Sequence, residues 1–240
     1  MTSIRAAVLS CVLLVLETTA DEGAPAASAK ISQRSISQRA PTLLDERRTR
    51  DSGNNMVDSK SLRVTCPEIP LVSREEWGAQ PPSNIESLNV FVKLVFFHHT
   101  EGDKCYSKKN CSRIVRHWQK YHQKTKGWFD IGYQYLVGGD GSVYEGRRFG
   151  INGAHTLTYN NKSVSIAFIG NFTHHAPSQK MLTSAQNLID CGVKLRQIQA
   201  NYKLHGQRDA NRRDCPGNAF YNLIIKKDPH FGDKLNPYIN

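Results

Sequence analysis

Residues 89–100 read NVFVKLVFFHHT, an almost unbroken apolar run that ends in two adjacent histidines. A strand with one face in water alternates apolar and polar residues, whereas a strand covered on both faces is apolar nearly throughout. The run therefore predicts a buried strand at 91–99. A chain built around such a strand needs further elements to cover both faces of its sheet.

The rest of the chain alternates between strand and helix patterns. The predicted elements are a helix at 111–127, a strand, turn and strand at 133–147, a buried strand at 163–172, a helix at 178–195, a short strand at 202–206, and a last helix at 215–227 with Pro216 in its first turn. Because strands alternate with helices, the sequence predicts an α/β fold with one sheet flanked by helices.

The first twenty residues have the layout of a secretory signal peptide. Arg5 supplies the positive start, residues 6–16 form an apolar core, and the small residues Thr18 and Ala20 precede a cleavage site at Asp21. The core is too short to cross a bilayer of about 30 Å, although an uncleaved anchor is the alternative. No later apolar run could span a membrane, so we expect a secreted, extracellular protein without membrane insertion.

Residues 21–65 contain the tandem repeat ISQRSISQRA and no aromatic residue. Such a composition cannot bury a core, so we interpret the segment as a disordered linker or pro-segment and expect the folded domain at 66–240. The run RRTR at 47–50 is either a processing site or a solvated cluster of charge. The formal net charge of +11 favours attraction to anionic surfaces such as bacterial walls, glycans or nucleic acids, and the signal peptide argues against nucleic acid.

The cysteine count is odd after export. Six cysteines are present, and Cys11 leaves with the signal peptide. An oxidising compartment favours pairing, and Cys105 and Cys111 form the natural local pair. One cysteine must be left over, and a role as a metal ligand would explain it. Three N-x-S/T sequons suit a secreted glycoprotein: Asn110, Asn161 and Asn171.

Histidine and cysteine side chains collect at the predicted strand ends. His98 and His99 close the strand at 91–99, His155 lies in NGAHT, and His205 and Cys215 lie in 204–217. Two histidines and one cysteine around an ion with an open fourth position form a catalytic zinc arrangement, although a lone histidine at a strand end is more often structural. A finger-like spacing from residue 105 to 122 has too short a cysteine-to-histidine gap for a zinc finger.

Several motifs, in order and spacing, resemble a peptidoglycan recognition protein: FHHT followed by CYSKKNC, DIGYQYLVGGDGSVYEGR, NGAHT and GQRDANRRDCPG. The similarity covers about 66–230. That family, related to the zinc amidase of T7-type phage lysozymes, implies a central mixed β-sheet with about three helices and a groove for the muramyl peptide. It also implies two disulfides, Cys105–Cys111 and Cys66–Cys191, which leave Cys215 free.

The resemblance also implies a degenerate zinc site. In members that are N-acetylmuramoyl-L-alanine amidases, zinc is held at the positions of His98, Gln207 and Cys215, and Tyr133 assists the attacking water. The amidases have His where this chain has Gln207. A glutamine oxygen is a harder and weaker ligand for Zn²⁺ than imidazole, so we expect no cofactor, no stoichiometric zinc and no amidase activity. The alternative is a zinc amidase in which His205 is a displaced ligand.

Binding residues of the family are retained. The positions His99, His122, Tyr133 and His155 belong to the family's groove, although ordinary core packing also accounts for His122 and Tyr133. In the family, peptides with meso-diaminopimelate are favoured by Gly127-Trp128 and by an arginine at 147. An Arg147 guanidinium could hold the extra carboxylate of diaminopimelate in a bidentate pair.

The sequence therefore favours a secreted innate-immune receptor that binds peptidoglycan without cutting it. Protein partners in an immune signalling or protease cascade are implied by family analogy alone. A protein that acts on bacteria through surface charge is a third possibility, and its binding should weaken at physiological ionic strength.

Overall fold

A six-stranded mixed sheet organises the computed structural model, which describes residues 57–239. In chain order the strands are β1 (Leu71–Val72), β2 (Val92–His99), β3 (Tyr135–Val137), β4 (Val143–Glu145), β5 (Ser163–Phe168) and β6 (Ile198–Gly206), and the helices are α1 (Ser59–Thr65), α2 (Arg74–Trp77), α3 (Lys108–Lys120), α4 (Gln179–Lys194) and α5 (Asn218–Leu223). The order in space is β1-β4-β3-β5-β2-β6. Among the strand pairs of this sheet in residues 57–239, the β3–β4 hairpin is antiparallel and the others are parallel, so the predicted α/β class is confirmed.

Strand β2 is an interior strand, as its composition predicts. It pairs in parallel with β5 on one side and with β6 on the other. Val95 and Phe97 enter the larger core, while Phe96 packs with Tyr159 on the other face. The strand ends at His99, where the prediction placed its end.

Two amphipathic helices cover the two faces of the sheet. Helix α3 begins after Ser107, whose hydroxyl accepts a hydrogen bond from the Asn110 N–H, a standard N-cap. Its buried side packs Ile114 and Val115 against Trp77 and Leu136. Helix α4 buries four apolar side chains in the larger core: Met181, Ala185, Leu188 and Ile189.

Several predicted boundaries are wrong. The last helix begins at Asn218, so Pro216 lies before it, outside the first turn. Strand β6 begins at Ile198, four residues earlier than predicted, because its pairing with β2 already starts at Ile198, opposite Val92. The predicted helix at 111–127 begins earlier, at Lys108, and changes at Tyr121–Thr125 into a single π-helical turn.

The predicted linker also ends too late. Within it, residues 59–65 form helix α1, whose N-cap Asp58 accepts a hydrogen bond from Ser61 at 2.7 Å. Leu62 is 1% exposed within the larger core. The linker interpretation is therefore wrong for this helix. The predicted signal peptide at 1–20 and the rest of the linker up to residue 56 lie outside the described residues.

The disulfides are those that the family resemblance implies. Cys66 follows α1 and is bonded to Cys191 of α4, and Cys105 is bonded to Cys111 of α3. Cys215 is a free, buried thiol. Within residues 57–239, no helix is both long and apolar enough to cross a membrane.

If α1 belongs to the folded domain, removing its buried side chain must destabilise the whole domain. We expect Leu62→Ala to lower the free energy of unfolding by about 2–5 kcal/mol. Val64 on the same helix is 77% exposed, so Val64→Ala should change it by less than about 0.5 kcal/mol. Urea unfolding measures both, and equal stabilities of the two variants would contradict the placement of α1.

Candidate functional site

A groove of about 750 Å³ opens at the carboxyl end of β2. Its lining comes from the end of β2, from α3, from the segments before β3 and after β4, from the chain between residues 207 and 215 that follows β6, and from Ile239. The lining residues are His98, His99, Thr100, Glu101, Trp118, Lys126, Trp128, Tyr133, Ala154, His155, Thr156, Leu157, Asn160, Gln207, Asn211, Arg212, Arg213, Asp214, Cys215 and Ile239. The groove thus unites most of the predicted site residues.

His98 and Cys215 lie side by side on the groove floor. The distance from His98 Nδ1 to Cys215 Sγ is 3.5 Å, and the backbone N–H of His99 donates to the same sulfur at 3.4 Å. With Zn–N of 2.0–2.1 Å and Zn–S of 2.3 Å in a tetrahedron, two such ligands stand about 3.5 Å apart. This pair therefore has the spacing of two zinc ligands.

The position that the family resemblance gives to a third zinc ligand holds an amide. Gln207 lies in a 3₁₀ turn, Gln207–Asp209, directly after β6, and its Nε2 donates to the His155 carbonyl oxygen at 3.1 Å. No cluster of three His, Cys, Asp or Glu side chains in the described chain could hold a metal ion. The residues present thus do not fit the three-ligand zinc centre of an amidase.

His205 is not close to this position. Its ring packs 5.5 Å from the Phe96 ring, its Nδ1 lies 3.0 Å from the Asp233 carbonyl oxygen, and it is 1% exposed. His205 and Gln207 do not lie on one strand face, because β6 ends at Gly206 and Gln207 begins the 3₁₀ turn. His205 does not line the groove, so the displaced-ligand alternative lacks geometric support.

The floor of the groove is electrically neutral. Burial lowers the pKa of His98 to about 3, with a further contribution from His99, and lowers the pKa of His155 well below its usual value. Burial also raises the pKa of the Cys215 thiol to about 12 and raises the pKa of Tyr133. At neutral pH the sulfur is a thiol, so this pair supplies no ionised nucleophile.

Thr156 and Asn160 organise the floor and were not predicted. Thr156 Oγ1 lies 3.4 Å from His98 Nε2 and 3.1 Å from His155 Nδ1. Asn160 Oδ1 accepts hydrogen bonds from the backbone N–H groups of His155 and Thr156, both at 2.8 Å. The only sequence signal was the position of Thr156 directly after His155.

His122 supports the groove wall from behind. It is 4% exposed, its ring stacks on Trp128 with centroids 4.7 Å apart, and it meets Tyr133 edge-on at 5.8 Å. Its Nδ1 accepts a hydrogen bond from the Gly132 N–H at 3.2 Å. Trp128 and Tyr133 line the groove, whereas His122 does not. His122 owes this position to the π-helical turn, and π-helical turns occur frequently at functional sites.

Trp118 of α3 packs against the smaller core cluster and also lines the groove. Helical spacing alone could not distinguish a core position from a groove position, because the groove wall continues the apolar side of the helix. Gly127, predicted to bind ligand, is not among the lining residues and has a φ of +68°. Its visible contribution is the left-handed turn before Trp128.

Arg147 lies outside the groove. It is 7% exposed and lines a second cavity of about 240 Å³. Its Nε donates to the Ile131 carbonyl at 2.7 Å, and its terminal nitrogens donate to the carbonyls of Asn152 at 2.9 Å and Asp130 at 3.4 Å. Arg147 therefore ties the segment before Tyr133 to the segment before His155.

Burial of neutral His122 should appear in the acid stability of the fold. Burial, reinforced by the Arg147 charge, lowers the pKa of His122 from 6.5 to about 4. Between these values the unfolded chain binds more protons, so stability falls as the pH falls, by up to about 1.4 kcal/mol per pH unit. We expect His122→Gln to make this dependence shallower in urea unfolding between pH 6.5 and 4.

His117→Gln, at an exposed position of α3, is the matched control and should keep the slope of the native protein. An unchanged slope in the His122 variant would count against a buried neutral imidazole.

Comparison with known proteins supports one family. Residues 88–218 match the family model described as N-acetylmuramoyl-L-alanine amidase. The chain is 41% identical over 162 residues to peptidoglycan-recognition protein LB of Drosophila melanogaster, covering 67% of this chain and 69% of the relative. It is 37% identical over 156 residues to peptidoglycan-recognition protein SC2 of Drosophila simulans, covering 65% of this chain and 85% of the relative.

A solved structure shares the fold. A mutant of Drosophila PGRP-LB in complex with tracheal cytotoxin is similar with a TM-score of 0.66 and 40% identity, covering 68% of this chain and 96% of that chain. The T7-lysozyme-like fold expected from the motifs is thereby confirmed. The chain belongs to the peptidoglycan recognition protein family, within the N-acetylmuramoyl-L-alanine amidase domain family.

Proposed function

We propose that this chain is a secreted receptor that binds bacterial peptidoglycan in the groove and does not hydrolyse it. The observation that carries the proposal is Gln207, which occupies the third ligand position beside an otherwise retained pair, His98 and Cys215. Binding is supported by the retained groove and by the relative whose structure contains tracheal cytotoxin.

The lack of catalysis follows from the ligand chemistry. Hydrolysis of an amide by a zinc amidase needs a metal that lowers the pKa of its bound water. Two ligands and a weak amide oxygen hold Zn²⁺ far less well than two imidazoles and a thiolate. This loss of affinity opposes zinc occupancy.

The groove offers a neutral surface suited to a sugar–peptide ligand. Trp128 and Tyr133 present aromatic faces, and neutral His155 has a ring nitrogen, Nε2, with no hydrogen-bond partner in the described structure. Aromatic faces pack on sugar rings, and ring nitrogens exchange hydrogen bonds with amides and hydroxyls. Three basic residues line the groove, Lys126, Arg212 and Arg213, against the two acidic residues Glu101 and Asp214, so the lining keeps a formal charge of +1 that would attract carboxylates of the ligand.

The preferred ligand under this proposal is the meso-diaminopimelate type. Gly127-Trp128 and Arg147 are the residue types expected for it. A guanidinium has five N–H donors. Arg147 uses three of them in hydrogen bonds to carbonyl oxygens, which leaves two N–H groups for a ligand carboxylate. Arg147 lies outside the groove, so the carboxylate must reach towards the smaller cavity or draw the guanidinium away from its carbonyl partners.

An extracellular location and protein partners belong to the same proposal. Two disulfides suit an oxidising compartment. All three sequon asparagines, at 110, 161 and 171, are exposed, as a glycoprotein requires. A receptor that does not cut its ligand must act through contact with other proteins, so a signalling or protease cascade is the partner class we expect.

The binding proposal is tested by pull-down on insoluble peptidoglycan of the two types. We expect the native chain to prefer the diaminopimelate type at physiological salt, and Arg147→Ala to lose most of that preference, by about tenfold or more for a lost bidentate pair. The matched control is Arg196→Ala, an exposed arginine that lines neither cavity. Native binding that is equal or prefers the lysine type would contradict the proposal, as would full preference in the Arg147 variant.

A further inference from the structure

The segment that contains α3 carries charge of one sign. Between residues 104 and 129 there are eight Lys or Arg residues and no Asp or Glu. They are Lys104, Lys108, Lys109, Arg113, Arg116, Lys120, Lys124 and Lys126. A solvated helix face normally mixes both signs, as α4 does with Lys180, Asp190 and Lys194.

Four of these charges form a narrow row on the exposed side of α3. At 100° per residue, Lys109, Arg113, Arg116 and Lys120 fall within an arc of about 60°, and at 1.5 Å per residue they span about 16 Å. All four are exposed. We call these four residues the basic row.

Most of the basic row is not neutralised. Arg116 donates to the Trp77 carbonyl oxygen. Within residues 57–239 the side chains of Lys109, Arg113 and Lys120 have no hydrogen bond or ion pair to another residue, whereas neighbouring Lys108 pairs with Glu76 at 2.9 Å. Like charges four residues apart destabilise a helix by about 0.2–0.5 kcal/mol per pair. The row is thus a cost to the fold, which a bound anion would remove.

The row leads towards the groove. The π-helical turn that follows α3 carries exposed Lys124. Lys126, directly after that turn, lines the groove. Positive residues therefore continue along the chain from the row to the lining of the groove.

We propose that the basic row binds a linear phosphodiester polymer of the bacterial surface, next to the groove and independently of it. A narrow row of charges matches a single extended polyanion. A membrane surface fits less well, because interfacial helices expose an apolar face, and the apolar side of α3 is buried against Trp77 and Leu136. This inference goes beyond the proposed function, since it needs neither the groove nor its ligand.

The test compares two variants with the same loss of charge. The row variant changes the three unpaired residues of the basic row and Lys124 of the π-helical turn: Lys109→Gln, Arg113→Gln, Lys120→Gln and Lys124→Gln. The control variant combines Lys93→Gln, Arg196→Gln, Lys203→Gln and Lys227→Gln, all at exposed positions. Each lowers the formal net charge of +11 by four. Because Asn110 lies beside the row in a sequon, all proteins are also made with Asn110→Gln.

The probe is fluorescently labelled poly(glycerol phosphate), titrated at 50 and 150 mM salt. We expect the row variant to bind at least about tenfold more weakly and with a shallower salt dependence, because fewer counterions are released. The control variant should stay within about twofold of the native chain. Equal losses in both variants, or no loss in the row variant, would overturn the proposal.

Binding of a soluble muramyl peptide is the second readout. The row variant should bind it as the native chain does, which also shows that the variant is folded. A native chain that binds the polymer but no muramyl peptide would contradict the proposed function and leave the basic row intact as a polymer site.

Discussion

The pairing of β2 between β5 and β6 fixes the chemistry of this protein. In that register His98 lies opposite Ala167 of β5 and Phe97 opposite Gly206 of β6. The last residue of β6 is therefore held beside the end of β2, and the chain that continues from it carries Gln207 and Cys215 to the groove floor. The position of His98 next to the Cys215 sulfur, at 3.5 Å, thus depends on buried strand pairing.

The shape of the groove does not depend on a bound metal ion. The groove floor is held by the strand ends, by Thr156 and by Asn160, and none of these contacts needs a metal ion. Gln207 itself donates to the His155 carbonyl, so the substituted residue takes part in the same hydrogen-bonded floor. Under the proposed function, the exchange of this one side chain would separate binding from hydrolysis while leaving the groove walls in place.

Much of this was predictable, because burial leaves periodic patterns. The apolar run of β2 and the helical spacing of α3 and α4 give their positions to within a few residues. Helix α1 was missed because Leu62 is its only buried side chain, too little to form a pattern. Arg147 and His122 were predicted as ligand contacts from residue type and family position. Their inward orientation depends on carbonyl and ring partners from distant segments, which no local pattern shows.

The central claim is that Gln207 alone separates this chain from a zinc amidase. It is tested most directly by elemental analysis of zinc per chain, in the native protein and in Gln207→His, after both are equilibrated with zinc and freed of excess. The account predicts far less than one zinc per native chain, and about one per chain in the variant together with release of stem peptide from muramyl peptide. One zinc per native chain, or none in the variant, would contradict it.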